Sequence, residues 1–290
     1  MTADEGRVAV TGGEVWWQRV AGGSGVPLLL LHGGPGGSSL GSVQTLAHVP
    51  DDRPVYLYDQ LGSGRSDRPH DTGLWTVERF VDELAQVRAA LGLDRVHLLG
   101  HSWGSVLATS YLLTRPEGVA SVVLSSPCLD ARRWARDQLT WLAQMPDDVQ
   151  RTITRAEADG STDSAAYQDA TRQFYRRHLC RLDPWPSHVE EGVADINHEV
   201  YGHMWGASEF TVSGTLQDFD VTGRLAELSL PALLVCGEYD EARPETVREQ
   251  AALLPGAQFA VIGGASHMTN VEQPDAYWRT VREFLAGTGA

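Results

Sequence analysis

The chain has 290 residues, of which 42% are hydrophobic and 21% charged, and a formal net charge of −15. That length can bury one large core or a core with an insertion, and the composition is that of an ordinary globular protein. The acidic balance argues against a nucleic-acid surface, which needs basic residues to meet phosphates. All 23 basic residues are arginine, and without lysine there is no Schiff-base, pyridoxal-phosphate or P-loop chemistry.

Val8–Val10, a Gly12-Gly13 turn and Val15–Val20 predict a β-hairpin. Leu28–Leu31 is a continuous apolar run ending in glycines, the pattern of a buried parallel strand, and Val55–Tyr58 is a second. Val77, Phe80, Val81, Leu84, Val87 and Leu91 recur at helical spacing, with Gly92 closing the helix. Val96–Leu99 and Val119–Leu124 follow as strands. Strands alternating with helices predict an α/β class with a doubly wound, mostly parallel sheet.

The alternation stops at Pro127. From there to Ser229 the chain is helix-like, polar and rich in arginine and tryptophan (Trp134, Trp141, Trp185, Trp205). Strand patterns return at Ala232–Cys236 and Phe259–Ile262, and a helical pattern runs from Tyr277 to Leu285. The expected organisation is a doubly wound α/β core in two parts, 1–126 and 230–290, with 127–229 inserted as a helical cap.

Cys128, Cys180 and Cys236 form no Cys-x-x-Cys pair and suggest no disulfide framework, which fits a reducing, cytoplasmic setting. Met1–Arg7 is acidic and lacks the apolar stretch of a signal peptide. The longest apolar runs, such as Val26–Leu31, are far too short to span a bilayer.

The chemistry is concentrated in Gly100-His101-Ser102-Trp103-Gly104, a G-x-S-x-G between the Val96–Leu99 strand and a helical run, Ser105–Leu113. In that setting the motif is a nucleophile elbow, which lifts a serine hydroxyl above the sheet. The flanking glycines are required because a Cβ there would strike a neighbouring strand or helix. Serine needs a base, and the base needs an orienting acid. In this fold the order is serine, acid, histidine, each on a loop after a strand. Gly237-Glu238-Tyr239-Asp240-Glu241 follows one late strand, and Gly263-Gly264-Ala265-Ser266-His267 follows the other. His267 is therefore the expected base and Asp240 the expected acid, with Glu238 and Glu241 as its competitors. The glycine-rich stretch His32–Gly37 follows Leu28–Leu31 and lets a backbone amide approach a substrate oxygen. Gly34 and Trp103 are the expected oxyanion donors. Asp59 and Gln60 are expected to tie loops together beneath that strand, and the tryptophans of the insertion to pack in a core, with Trp205 as the exception beside the site. No metal or cofactor is called for.

Four motifs in order give the chain a specific likeness: His32-Gly33-Gly34-Pro35-Gly36, Asp59-Gln60-x-Gly62-x-Gly64-x-Ser66, the Ser102 elbow and Gly237–Glu241. Together they resemble the proline iminopeptidase family of serine-peptidase α/β-hydrolases, and within it the tricorn-interacting aminopeptidases, over nearly the whole chain. The resemblance implies a helical cap and the release of N-terminal residues from short peptides or amino-acid amides by Ser102, Asp240 and His267. It also implies that acidic side chains hold the substrate's α-ammonium. The segment Tyr201–Thr211 matches the one that supplies the first, at Glu209, and Glu241 matches the second. The chain departs from the family at Ala207, where proline is usual. A desolvated ammonium does need a carboxylate partner.

Two other functions use the same scaffold. An esterase, lactonase or pathway-specific hydrolase would not need Glu209 and Glu241. A non-catalytic ligand receptor would not need an intact triad. The expected ligand is a small peptide or amide with a free amino terminus, with no nucleic-acid or membrane partner.

Overall fold

The structure is a computed structural model and describes residues 4–40, 49 and 53–288. The outermost residues of the expected core, 1–3 and 289–290, lie outside the described residues. Its centre is an eight-stranded sheet of β1 (Asp4–Val10), β2 (Gly13–Ala21), β3 (Leu28–Leu31), β4 (Val55–Tyr58), β5 (Val96–His101), β6 (Val119–Ser125), β7 (Ala232–Gly237) and β8 (Gln258–Ile262), in the order β1-β2-β4-β3-β5-β6-β7-β8. The β1–β2 and β2–β4 pairings are antiparallel, and every pairing from β4 through β8 is parallel.

The strand residues explain the layering. Side chains alternate across a sheet. Leu29 and Leu31 of β3 join the core on one face, while Leu28 and Leu30 join the core on the other. Strands covered on both faces must be apolar throughout, and β3 and β7 are buried along their whole length. The first face is covered by α1 (Val77–Ala90), α2 (Trp103–Leu112) and α8 (Pro244–Leu253), through Phe80, Leu84, Val106, Leu107 and Val247. The second is covered by α10 (Pro274–Gly287), through Tyr277, Trp278, Val281, Phe284 and Leu285. The Thr76 hydroxyl caps α1 by accepting from the Arg79 amide, and Gly92, at φ +64°, turns the chain just after it.

Between β6 and β7 the chain forms α3 (Ala131–Leu142), α4 (Asp147–Asp159), α5 (Ala165–His178), α6 (Ser187–Ala194) and α7 (His198–Met204). Leu142, Met145, Val149, Ile153, Tyr167, Phe174 and Phe210 make a small core of their own there. Trp134, Val200, Met204, Trp205 and Leu216 instead pack into the core that includes β3 and β5. Among the described residues, no helix is long and apolar enough to cross a membrane.

Candidate active site

The C-terminal ends of the parallel strands converge on one cavity of about 510 Å³. Gly34, Ser102, Trp103, Trp205, Glu209, Glu241 and His267 all line it. The short helix α9 (Thr269–Glu272) begins two residues after His267.

Ser102 sits between β5 and α2 at φ 53° and ψ −120°, a conformation that is rare for a residue with a side chain. Its amide donates to the Ser125 carbonyl at 2.9 Å, which ties the turn to β6. Only glycine fits on either side. A Cβ on Gly100 would run into the Gly104 carbonyl, and one on Gly104 into the Leu31 carbonyl. Trp103 is the first residue of α2, so its amide has no acceptor within the helix. Gly34 has φ +123°, and a Cβ there would press on the Gly37 amide nitrogen at 2.5 Å.

Asp240 lies three residues past the end of β7 and is fully buried. Its Oδ1 is 2.8 Å from His267 Nδ1 and also accepts from the Ala242 amide at 2.9 Å. Its Oδ2 accepts from the Gly237 amide at 3.0 Å and from the Ser126 hydroxyl at 2.6 Å. Burial alone would raise this carboxyl, but the charge of His267 and those hydrogen bonds hold it below the usual range. Its competitors stand elsewhere. Glu238 accepts from the Gly264 amide at 2.9 Å, away from the imidazole. Glu241 Oε2 reaches only to 4.0 Å from His267 Nδ1.

Glu209 and Glu241 come together in the cavity wall from opposite parts of the chain. Glu209 Oε1 accepts from the Tyr201 hydroxyl, and Oε2 from Trp134 Nε1 at 3.1 Å. Glu241 is 2% exposed, and its Oε1 has no hydrogen-bond partner. Burial raises both carboxyls. Glu209 adds its charge to push Glu241 up to about 8, while the Tyr201 hydroxyl and His267 partly oppose the rise at Glu209. Burial would lower His267, but Asp240, then Glu241 and Glu209, carry it up to about 9. Its neighbour His101, with ring centres 4.8 Å apart, is pushed down to about 3 by burial and by His267, and so stays neutral. Among the described residues, no group of three or more histidine, cysteine or acidic side chains is arranged to hold a metal ion.

Three residues at the site were not singled out from sequence. Ser126, at φ 49° just after β6, holds Asp240; its place at the C-terminal end of a parallel strand was the available signal. Tyr201 lay inside a segment chosen for Glu209 alone. Trp134 packs in the core, as expected of the tryptophans of the insertion, and it also lines the cavity, donates to Glu209 and stands edge-on to the His267 ring at 5.6 Å. A long-range partner of this kind leaves no periodic trace. Trp205 lines the cavity and meets Trp134 edge to face at 6.1 Å. Asp59 and Gln60 act as ties. Asp59 accepts from the Ser39 hydroxyl and amide and from the Arg65 amide. Gln60 bridges His32 and Trp103 Nε1 at 3.2 and 2.8 Å.

Residues 26–274 match the model of the alpha/beta hydrolase fold family. A proline iminopeptidase of Heyndrickxia coagulans is 48% identical over 283 residues, covering 97% of this chain and 98% of that one. The crystal structure of proline iminopeptidase from Mycobacterium smegmatis superposes with a TM-score of 0.91 at 33% identity, covering 98% of each chain. The crystal structure of VinJ superposes with a TM-score of 0.94 at 32% identity, covering 98% of this chain and 99% of that one.

Proposed function

The chain belongs to the proline iminopeptidase family of α/β-hydrolases, and from that premise we propose that it releases N-terminal residues, proline among them, from short peptides or amino-acid amides through an acyl-enzyme on Ser102. The observation that carries this reading is the shared cavity: Ser102, a His267 bonded at 2.8 Å to buried Asp240, and two buried carboxylates, Glu209 and Glu241. The triad supplies acyl transfer. The carboxylates supply a reason to demand a cationic amine.

Asp240 holds Nδ1 and thereby leaves Nε2 of His267 to take the Ser102 proton. Ser102 attacks the carbonyl of the first residue. The Gly34 and Trp103 amides stabilise the oxyanion, and each removed donor of this kind typically costs about 2.7–4 kcal/mol of the barrier. His267 then gives its proton to the leaving amine, and water hydrolyses the ester. Glu209 and Glu241 hold the α-ammonium, which fixes the first residue at the serine and excludes longer N-terminal extensions. We read residues 127–229 as a cap that carries Glu209 over the core. The three buried free thiols suit a reducing, cytoplasmic setting.

The test is a panel of aminoacyl-nitroanilides, amino-acid amides and simple esters, each with a free and an acetylated α-amine. Free-amine substrates should dominate, and acetylation should abolish their cleavage. Equal cleavage of free and acetylated substrates would overturn the aminopeptidase reading in favour of an esterase.

A further inference from the structure

The cavity wall holds carboxylates and no cation to spare. Glu209 and Glu241 line it, and among the described residues no arginine does. Residues 1–3, 41–48, 50–52 and 289–290 contain no arginine, and the chain has no lysine. Arginines are close by in the sequence but turned away. On α5, Tyr167, Thr171 and Tyr175 recur every fourth residue and form the face that lines the cavity. Arg172, Arg176 and Arg177 of the same helix are exposed, and Arg177 and Arg181 line a separate cleft of about 260 Å³ with Trp141 and Tyr239. Four histidines reach the wall. His32 is neutral by its contacts: Nε2 accepts from the Gln60 amide at 2.9 Å, so its proton is on Nδ1, which donates to the Gly33 carbonyl at 2.8 Å. His101 lies against the His267 ring, and burial keeps it neutral. His267 is committed to Asp240 and to the Ser102 proton. His198 is exposed at the start of α7.

One stretch of the wall is apolar. Leu179, Val189, Val193 and Ile196 of the insertion line the cavity together with Met268 and Val271 of the core. The Met268 amide donates to the Leu179 carbonyl at 2.8 Å. This stretch therefore begins beside His267, the residue that hands its proton to the leaving nitrogen. A volume of about 510 Å³ falls in the range of roughly 300–1,000 Å³ that encloses drug-sized molecules, so there is room for a group beyond the first residue.

We propose that the leaving side of the site takes an uncharged, apolar group, so that the preferred substrates are aminoacyl amides of apolar amines rather than dipeptides or tripeptides with a free C-terminal carboxylate. This rests on the aminopeptidase reading above and narrows its substrate class. The substrate's ammonium is matched by Glu209 and Glu241. The terminal carboxylate of a short peptide is matched by nothing. It would exchange water for valine, leucine and methionine side chains, in a cavity that already holds two carboxylates. A charge taken out of water without a partner is the costliest kind of burial, and like charges nearby add to the cost. An aromatic or aliphatic group in the same place gains by leaving water. A longer peptide escapes the penalty by carrying its carboxylate out of the cavity, since each added residue moves it by up to about 3.5 Å.

The test follows proline release by mass spectrometry from three probes that share one first residue: L-prolyl-L-phenylalanine, its C-terminal carboxamide, and L-proline 2-phenylethylamide, which is the same molecule without the carboxylate. The assay runs at about pH 7.5, where an unperturbed imidazole is mostly neutral. Both uncharged probes should exceed the free acid in kcat/KM by roughly 30-fold or more. Four glycines added after the phenylalanine carry the terminus up to about 14 Å further, beyond a Debye length of about 8 Å, and there the free acid and the carboxamide should agree within about 3-fold. A free dipeptide cleaved as well as its carboxamide, with N-acetylation still abolishing both, overturns this proposal and leaves the aminopeptidase reading. A phenylethylamide as slow as the free acid, beside a fast carboxamide, would assign the preference to a hydrogen bond and also overturns it. So does a gap that persists undiminished in the glycine-extended pair. Equal cleavage of the N-acetylated probes, or no proline release from any of the three, overturns the aminopeptidase reading itself.

Discussion

The strand-end loops and the inserted helices contribute to one cavity in different ways. Ser102, Asp240 and His267 stand on loops leaving β5, β7 and β8, three parallel strands of which β5 and β7 are hydrogen-bonded on both sides and β8, at the sheet edge, to β7. Glu209 stands on irregular chain after α7 and owes its position to side chains, Tyr201 and Trp134. The sheet therefore fixes its groups through backbone geometry, and the insertion fixes its group through packing and hydrogen bonds. On the proposed reading this separates chemistry from choice. Damage to the triad on the strand-end loops should harm every substrate, whereas damage to the insertion, or to Glu241 beside Asp240, should harm only those with a free amine.

The largest effect, and the firmest check on the first half of that contrast, is Ser102→Ala. It should lower kcat by roughly 10⁴-fold or more on amine and ester substrates alike, with unchanged thermal unfolding. A serine-directed phosphonate should label the parent enzyme at Ser102 and leave the variant unlabelled, read by intact mass. Near-normal turnover by the variant would place the nucleophile elsewhere.

Asp240→Asn comes next. It keeps the shape but turns an acceptor toward a donor at His267 Nδ1, and should cost on the order of 10³–10⁴ in kcat for both substrate classes. Ser126→Ala removes one of the hydrogen bonds that hold Asp240 in its ionised form. Losing a bond to a charged group costs about 1.5–3 kcal/mol, so a fall of roughly 10- to 100-fold is expected, again for both classes. A pH–rate profile separates the two variants. With Ser126→Ala the Asp240 carboxyl moves up from its depressed value, so activity should begin to fall at a less acidic pH than in the parent. An effect of either variant confined to amine substrates would break the contrast from the sheet side.

How much of this could be read from the chain follows the same division. The strands were legible because two-sided burial leaves apolar runs, as in Leu28–Leu31 and Ala232–Cys236. The elbow was legible because Gly100 and Gly104 have no alternative residue. Asp240 and His267 followed from their order after late strands. The observed elements differ mainly at their ends: β8 begins at Gln258, and the last helix runs from Pro274, where proline suits the first turn. The insertion was legible only as helix-like and polar. Its five helices pack partly on each other and partly on the main core, and neither arrangement has a sequence period. Glu209 was reachable only through family resemblance. Trp134 lies 75 positions away from Glu209, and nothing local in the sequence marks the pair.

Glu209→Gln tests the second half of the contrast. Removing one partner of a desolvated charge pair costs about 2–5 kcal/mol. That is roughly 30-fold or more in kcat/KM for substrates with a free α-amine. Ester hydrolysis should fall little or rise slightly, because the lost carboxylate also holds charge on His267. The ratio of the two activities, measured on one enzyme preparation, removes any doubt about the amount of folded protein. An equal loss on both would mean that the insertion takes part in the chemical step.

Tyr201→Phe should give the smallest effect and is the finest test. The Tyr201 hydroxyl donates to Glu209 Oε1, and Trp134 Nε1 still holds Oε2 in the variant. The carboxylate stays in place but loses one donor and becomes freer to turn. Burial already raises Glu209, with the Tyr201 hydrogen bond as the first force opposing it. Without that bond the carboxyl rises further, so more of it is protonated at neutral pH and cannot attract an ammonium. A hydrogen bond to a charged group contributes about 1.5–3 kcal/mol, and part of it is regained when the ammonium binds. The expected outcome is a KM for aminoacyl-nitroanilides raised by up to roughly 10-fold, with kcat nearly unchanged and ester hydrolysis untouched. The sign with pH is fixed. The loss should be greatest at the acidic end, where Glu209 is protonated, and should shrink as pH rises through its titration. A fall in kcat without a change in KM would show that Tyr201 serves the reaction rather than the hold on the amine, and the division between sheet and insertion would no longer describe this site.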